Sequence, residues 1–176
     1  METKNLYIIS GCNGVGKTTA SYTILPEIIE CREFVNADEI AKGLSPFQPE
    51  KVAFEAGRIM INRINELLRD NNSFAFETTL STRSYRKKIL DAQKEGYAVI
   101  LLFFWLNDVE LAKERRYFKG IYNLFDIYLP IINGALIFDN SYGKHELIAH
   151  KMGTHKLEIV DLEKFKMLKG IHDTKG

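Results

Sequence analysis

The chain alternates between two kinds of hydrophobic pattern. Short, almost unbroken apolar runs occur at Leu6-Tyr7-Ile8-Ile9-Ser10, Phe74-Ala75-Phe76-Glu77-Thr78, residues 98–105 and Ala135-Leu136-Ile137-Phe138. Runs of this length, rich in β-branched and aromatic residues, predict strands buried on both faces of a parallel sheet. Glu33-Phe34-Val35-Asn36 predicts a shorter strand, second in chain order. Between the runs, apolar positions recur every three or four residues, as on one face of a helix. Val52, Ala56, Ile59, Met60, Ile64, Leu67 and Leu68 mark such a face over 49–70, with Pro49 in the first turn. Further helices are predicted over 18–25, stopped by Pro26, and over 84–95, closed by Gly96. A long one over 107–129 would open on an Asn107/Glu110 capping box and end at Pro130. Residues 146–151 and 156–160 flank Met152-Gly153-Thr154 as a hairpin, and a short helix starts near Asp161.

Strands alternating with helices predict an α/β fold, a doubly wound parallel sheet of about five strands with a small C-terminal hairpin. At 176 residues the chain suits one domain covering 1–176. Right-handed crossovers bring the loops after each strand to one sheet edge, where ligands bind. Residues 11–18, Asp38, 77–79, Asn107 and Asn140 are expected to converge there.

The first of these loops, Gly11-Cys12-Asn13-Gly14-Val15-Gly16-Lys17-Thr18, fits the Walker A pattern between a predicted strand and a predicted helix. Glycines let successive backbone N–H groups turn inward around phosphate oxygens. Lys17 is placed to reach the β- and γ-phosphates, and the Thr18 hydroxyl to ligate Mg²⁺, with Thr19 following in the helix start. The motif makes this a P-loop NTPase-type fold with ATP and Mg²⁺ as expected cofactors.

Phosphoryl transfer also needs a base near the attacking hydroxyl and cations near the γ-phosphate. Asp38, after the second strand, is the candidate base; the alternative is that it N-caps the turn Glu39-Ile40-Ala41. Glu77, ending the third strand, could serve Mg²⁺ or its waters, hydrogen-bond an acceptor hydroxyl, or cap a loop. Arg115 and Arg116 are candidate phosphate clamps, or else part of a solvated helix face. Cys12 could have a lowered pKa inside the loop, or simply fill a tolerant position. His145, His150, His155 and His172 are given no role.

A net charge of +1 gives no electrostatic reason to expect nucleic acid or an anionic membrane as partner. No secretory signal is read at residues 1–5, and the longest apolar run, 98–106, is too short to span a bilayer. Two cysteines without metal spacing fit a reducing, cytoplasmic setting.

Several longer segments carry a family likeness. Phe34-Val35-Asn36-Ala37-Asp38-Glu39-Ile40-Ala41, Gly43-Leu44-Ser45-Pro46, Ala56-Gly57-Arg58, Phe74-Ala75-Phe76-Glu77-Thr78-Thr79-Leu80-Ser81 and Asp139-Asn140-Ser141 resemble the bacterial zeta-toxin family of P-loop kinases. The resemblance implies a nucleotide-kinase-like fold and ATP/Mg²⁺-dependent phosphorylation of a small molecule, UDP-N-acetylglucosamine in the best-known members. It implies Asp38 as general base, Lys17 as phosphate lysine, and Glu77, Thr78 and more weakly Arg83 as acceptor contacts. Asn140 and Ser141 would stand beside adenine; Arg58 matches a Gly-Arg pair of unassigned role. An antitoxin partner follows from the resemblance alone. Another acceptor, such as an antibiotic or nucleoside, and a non-catalytic ATP-binding module are the alternatives. The family carries a basic lid of some twenty residues where Leu111-Ala112-Lys113-Glu114 passes directly into Arg115-Arg116-Tyr117-Phe118. Either the lid has been lost or a segment is missing near 112–116. The second is expected, because lids of this kind move.

Overall fold

A computed structural model describes residues 4–107, 115–141, 144–153 and 155–173. One sheet organises them, with strands in the order β2-β3-β1-β4-β5-β6-β7. The first five, β2 (Phe34–Val35), β3 (Phe74–Thr78), β1 (Asn5–Gly11), β4 (Ala98–Trp105) and β5 (Gly134–Asp139), run parallel. β1 therefore sits centrally between β3 and β4, and Ile8 and Ile9 beneath the glycine loop are sealed from solvent.

The strand count corrects the expectation of five plus a small hairpin. β6 (Glu146–Met152) runs antiparallel along β5, and β7 (Glu158–Ile159) runs antiparallel along β6, so the hairpin extends the main sheet to seven strands. An antiparallel neighbour needs only a short return connection, whereas a parallel one needs a crossover. The chain can thus add β6 directly after β5.

The described helices are α1 (Lys17–Thr23), α2 (Ala37–Leu44), α3 (Ala53–Arg69), α4 (Tyr85–Lys94), α5 (Arg115–Asn123) and α6 (Leu162–Asp173). On α3 the expected apolar face is buried at Ala56, Met60, Ile64 and Leu67, while Ile59 remains exposed. A 3₁₀ turn, Pro49–Val52, leads into it. Pro26 does not stop the first helix. The chain continues through it as a π-helical turn, Ile24–Ile28, in which Ile29 N–H donates to Ile24 O at 3.2 Å. The wider turn gives the pyrrolidine ring room that an α-turn denies it. A second π-turn, Leu124–Tyr128, ends the long helix just before Pro130. The Asn107/Glu110 capping box and the lid junction near 112–116 involve residues 108–114 and lie outside the described residues. Among the described residues no helix is long and apolar enough to cross a membrane.

Candidate functional site

The loop between β1 and α1 holds a conformation that its glycines permit. Gly11 has φ 146°, and a Cβ there would lie 2.2 Å from the Phe104 carbonyl oxygen of β4. Gly16 has φ 79° and caps α1 without a side chain. Behind the loop, Asn140 after β5 reaches past β4 to the loop that follows β1. Its Nδ2 donates to the Val15 carbonyl, and a Cβ on Gly16 would touch that same nitrogen at 3.0 Å. Asn140 Oδ1 is buried with no partner among the described residues.

Lys17 is 5% exposed and its ammonium is held inside the site. Nζ donates to Cys12 O at 2.8 Å and lies 3.5 Å from Glu77 Oε1. Glu77 comes from the C-terminal end of β3, next to β1 in the sheet, which is why the two side chains meet. Its other oxygen, Oε2, accepts from Thr18 Oγ1 at 2.9 Å and from Asn36 Nδ2 at 2.8 Å. Asn36 Nδ2 also lies 3.4 Å from Thr18 Oγ1. One carboxylate thus joins Lys17 and Thr18 of the glycine loop and Asn36 after β2.

Asn36 has a second task. Its Oδ1 accepts from the backbone N–H of Asp38 at 2.8 Å and of Glu39 at 3.4 Å, making it the N-cap of α2. This corrects the alternative reading of Asp38 as the cap. Asp38 lies in the first helical turn, exposed, and its carboxylate has no hydrogen-bond partner among the described residues. The cap had a sequence signal, an Asn directly before a helix start. Its hold on Glu77 had none, because the two are 41 residues apart.

Asp38, Lys17, Asn13, Asn36, Glu77, Thr78 and Thr79 line one cleft of about 540 Å³, with Ala53, Met60, Thr82 and Tyr85 completing its walls. Thr78 Oγ1 accepts from the Leu80 N–H at 3.2 Å, and Thr79 Oγ1 pairs with Ser81 Oγ at 2.9 Å. Burial raises the Tyr85 phenol above its ordinary range, against a hydrogen bond with Thr78 that lowers it. Two other grooves lie elsewhere. One of about 640 Å³ sits between the C-terminal ends of α3 and α4, near the starts of β3 and β4. Another of about 740 Å³ follows the outer edge of β2.

Other predicted site residues fall outside the cleft wall. Thr19 is exposed on α1, and Cys12 is buried inside the loop. Arg83 and Arg58 are exposed, on the turn before α4 and on α3. Arg115 and Arg116 open α5, and their side chains lie outside the described residues. Ser141 turns back onto β5. Its hydroxyl donates to Asp139 and accepts from Asn107 N–H at 2.8 Å. Asp139 is itself 2.9 Å from Lys164 Nζ of α6, which also contacts Glu146. Burial alone would raise the Asp139 carboxyl; the bonds from Ser141 and Lys164 outweigh it and hold it below its ordinary value.

No family model matches the chain. An uncharacterised protein from Haemophilus influenzae is 27% identical over 111 residues, covering 63% of this chain and 76% of that protein. Among solved structures, one from a study of the PezAT chromosomal toxin-antitoxin system of Streptococcus pneumoniae superposes with a TM-score of 0.60 at 15% identity. It covers 99% of this chain and 87% of that one. The complex AvrRxo1-ORF1:-ORF2 with ATP gives 0.67 at 14% identity, over 94% of this chain and 63% of that one. The likeness is one of fold: the chain shares its arrangement of sheet and helices with both structures.

Proposed function

We propose that this protein is an ATP- and magnesium-dependent kinase that transfers the γ-phosphoryl group to a hydroxyl of a small acceptor. The acceptor class is a nucleotide sugar, UDP-N-acetylglucosamine being the first to test. The observation that carries the reading is the division of labour between the two cleft carboxylates. Both oxygens of Glu77 are engaged by Thr18, Asn36 and Lys17, whereas Asp38 faces the same cleft without a partner among the described residues. An engaged carboxylate orients its donors; a carboxylate with open lone pairs can accept a proton.

Asp38 accordingly takes the acceptor hydroxyl proton as the oxygen attacks phosphorus, and the bond to the departing ADP oxygen breaks. Lys17 leaves Cys12 O to hold the phosphate oxygens, and Glu77 keeps the Thr18 hydroxyl aimed at the metal position. The donor set fits magnesium, which takes few protein oxygens and keeps several waters. When bound, the ion would neutralise charge building between the β- and γ-phosphates. Arg115 and Arg116 are proposed as further phosphate contacts from the start of α5. Asn140 acts from behind, fixing the loop backbone. The likeness to the PezAT structure supports an antitoxin as protein partner. A cytoplasmic setting and a single kinase domain belong to the same reading.

The test mixes protein and Mg-ATP with a panel of nucleotide sugars and follows new phosphomonoesters by mass spectrometry. Transfer to one of them, abolished by chelating magnesium, is expected. Tight ATP binding with no transfer to any hydroxyl in the panel would overturn the reading in favour of a binding module.

A further inference from the structure

Beyond Thr78 the acceptor wall of the cleft leaves its strand. After β3 the chain makes a tight turn in which Leu80 adopts φ 53°, a left-handed conformation that non-glycine residues rarely take. Its side chain is fully buried, so the turn is anchored rather than loose. Left-handed backbone at such a residue is strained and persists only where the surroundings over-determine it.

The surroundings here come from α5 and the π-turn that follows it. Asn123 Nδ2 donates to the Leu80 carbonyl at 2.6 Å. Tyr128 Oη donates to the Thr82 carbonyl at 2.6 Å. Gly120, one turn before Asn123, packs so closely that a Cβ would stand 2.7 Å from the Thr79 carbonyl oxygen. Three of the four carbonyls from Thr79 to Thr82 therefore rest on a single helical face. Tyr128 is fully buried, and burial pushes its phenol up to about 12, so it remains a donor at neutral pH. The opposite side of the same turn presents Thr78, Thr79 and Thr82 to the cleft that Asp38 shares.

We propose that Asn123 and Tyr128 are positioning residues for the phosphate acceptor, clamping the left-handed turn at Leu80 so that the Thr78–Thr79 wall meets the acceptor beside Asp38. This rests on the kinase reading and deepens it: the helix that begins with Arg115 is bolted to the acceptor wall. Phosphate-side and acceptor-side groups thus share one rigid element. Neither residue touches the reacting atoms. Their effect is on where the acceptor sits, and small misplacements of a reacting group are costly.

The experiment compares wild type with Tyr128→Phe and Asn123→Leu, varying UDP-N-acetylglucosamine at saturating Mg-ATP and then the reverse, with ATP affinity measured separately by calorimetry. Each variant removes the donor from one carbonyl of the turn while nearly keeping side-chain volume. A rise of about tenfold in acceptor KM is expected, with a several-fold fall in kcat and ATP affinity within about twofold. A purely structural role would instead lower the folded fraction, reducing kcat while leaving both KM values unchanged. Tyr128→Phe keeps the ring and guards against Asn123→Leu failing to fold. Unchanged acceptor KM in folded Tyr128→Phe, with the wild type active, overturns this inference alone. A wild type that binds ATP and phosphorylates nothing overturns the kinase reading and this inference with it.

Discussion

The two walls of the cleft are finished to different degrees. On the phosphate wall, Lys17, Thr18 and Glu77 all have partners within the chain, and Asn140 braces the loop from behind. On the acceptor wall, Asp38 has none among the described residues, and the neighbouring α2–α3 connection exposes Leu44, Phe47 and Phe54. Phe47 is 96% exposed, an arrangement that strands apolar surface in water. A phosphate site can be prebuilt because every nucleotide triphosphate offers the same oxygens. An acceptor site must keep its selective groups open for the molecule they select. The difference fits the proposed roles: the phosphate wall is satisfied within the chain, while Asp38 stands apart from it.

The sharpest way to break this contrast is Asp38→Asn. It preserves shape and the cap from Asn36, and removes only the proton acceptor. Transfer should fall about 10²- to 10⁴-fold, the usual contribution of a positioned base. ATP affinity, read by calorimetry, should stay within about twofold. Comparable losses in both would mean the two walls are not separable.

Lys17→Met probes the other wall and should behave in the opposite way. Losing the buried cation proposed to pair with phosphate oxygens should weaken ATP binding by about 10- to 100-fold, the range of hydrogen bonds to charged groups. Transfer should fall at least in step. Undiminished ATP affinity in a folded Lys17→Met protein would place the triphosphate elsewhere.

The strands and the glycine loop were readable in the sequence, and the reasons are local. The sequence bounds of β3 and β4 coincide with the structure because both strands are buried on both faces and bracketed by breakers. The glycine loop was legible because its backbone demands particular residue types. What escaped depends on neighbours distant in the chain. That Asn36 steadies Glu77 requires β2 and β3 to be adjacent, which no local pattern encodes. The hold of Asn123 on Leu80 spans 43 residues. The hairpin was recognised as a hairpin, yet its pairing with β5 was hidden because sheet partners are chosen by topology. Pro26 misled because a wider turn could absorb it.

Asn36 stands where the walls meet, and Asn36→Ala sharpens the comparison by touching both. Losing the cap of α2 should cost about 0.5–2 kcal/mol of stability, measured by urea unfolding. Freeing one bond to Glu77 should weaken magnesium-dependent ATP binding by several-fold. Asn36→Asp keeps a capping oxygen but sets a second carboxylate against Glu77, so it should lose the binding while recovering only part of the cap's stability. Parallel changes in both variants would show that the cap and the site are one function rather than two.

The smallest expected effect lies behind the phosphate wall, where Lys164 of α6 meets Asp139 beside Asn140. Burial works to raise the Asp139 carboxyl, but the bonds from Ser141 and Lys164 prevail and depress it. A carboxyl depressed on folding contributes stability that is present above its unfolded value, about 3.9. That contribution is lost as pH falls through the lower, folded value. Lys164→Met removes one of the two bonding groups and leaves the burial, so the folded value must rise. Acid unfolding of the variant should then begin at higher pH, while thermal stability near pH 7 changes little because the ion pair is partly solvated. Thermal melts across about pH 3–5 read this directly. Superimposable acid profiles would mean that Ser141 alone holds Asp139, and that α6 steadies the phosphate wall by packing rather than by charge.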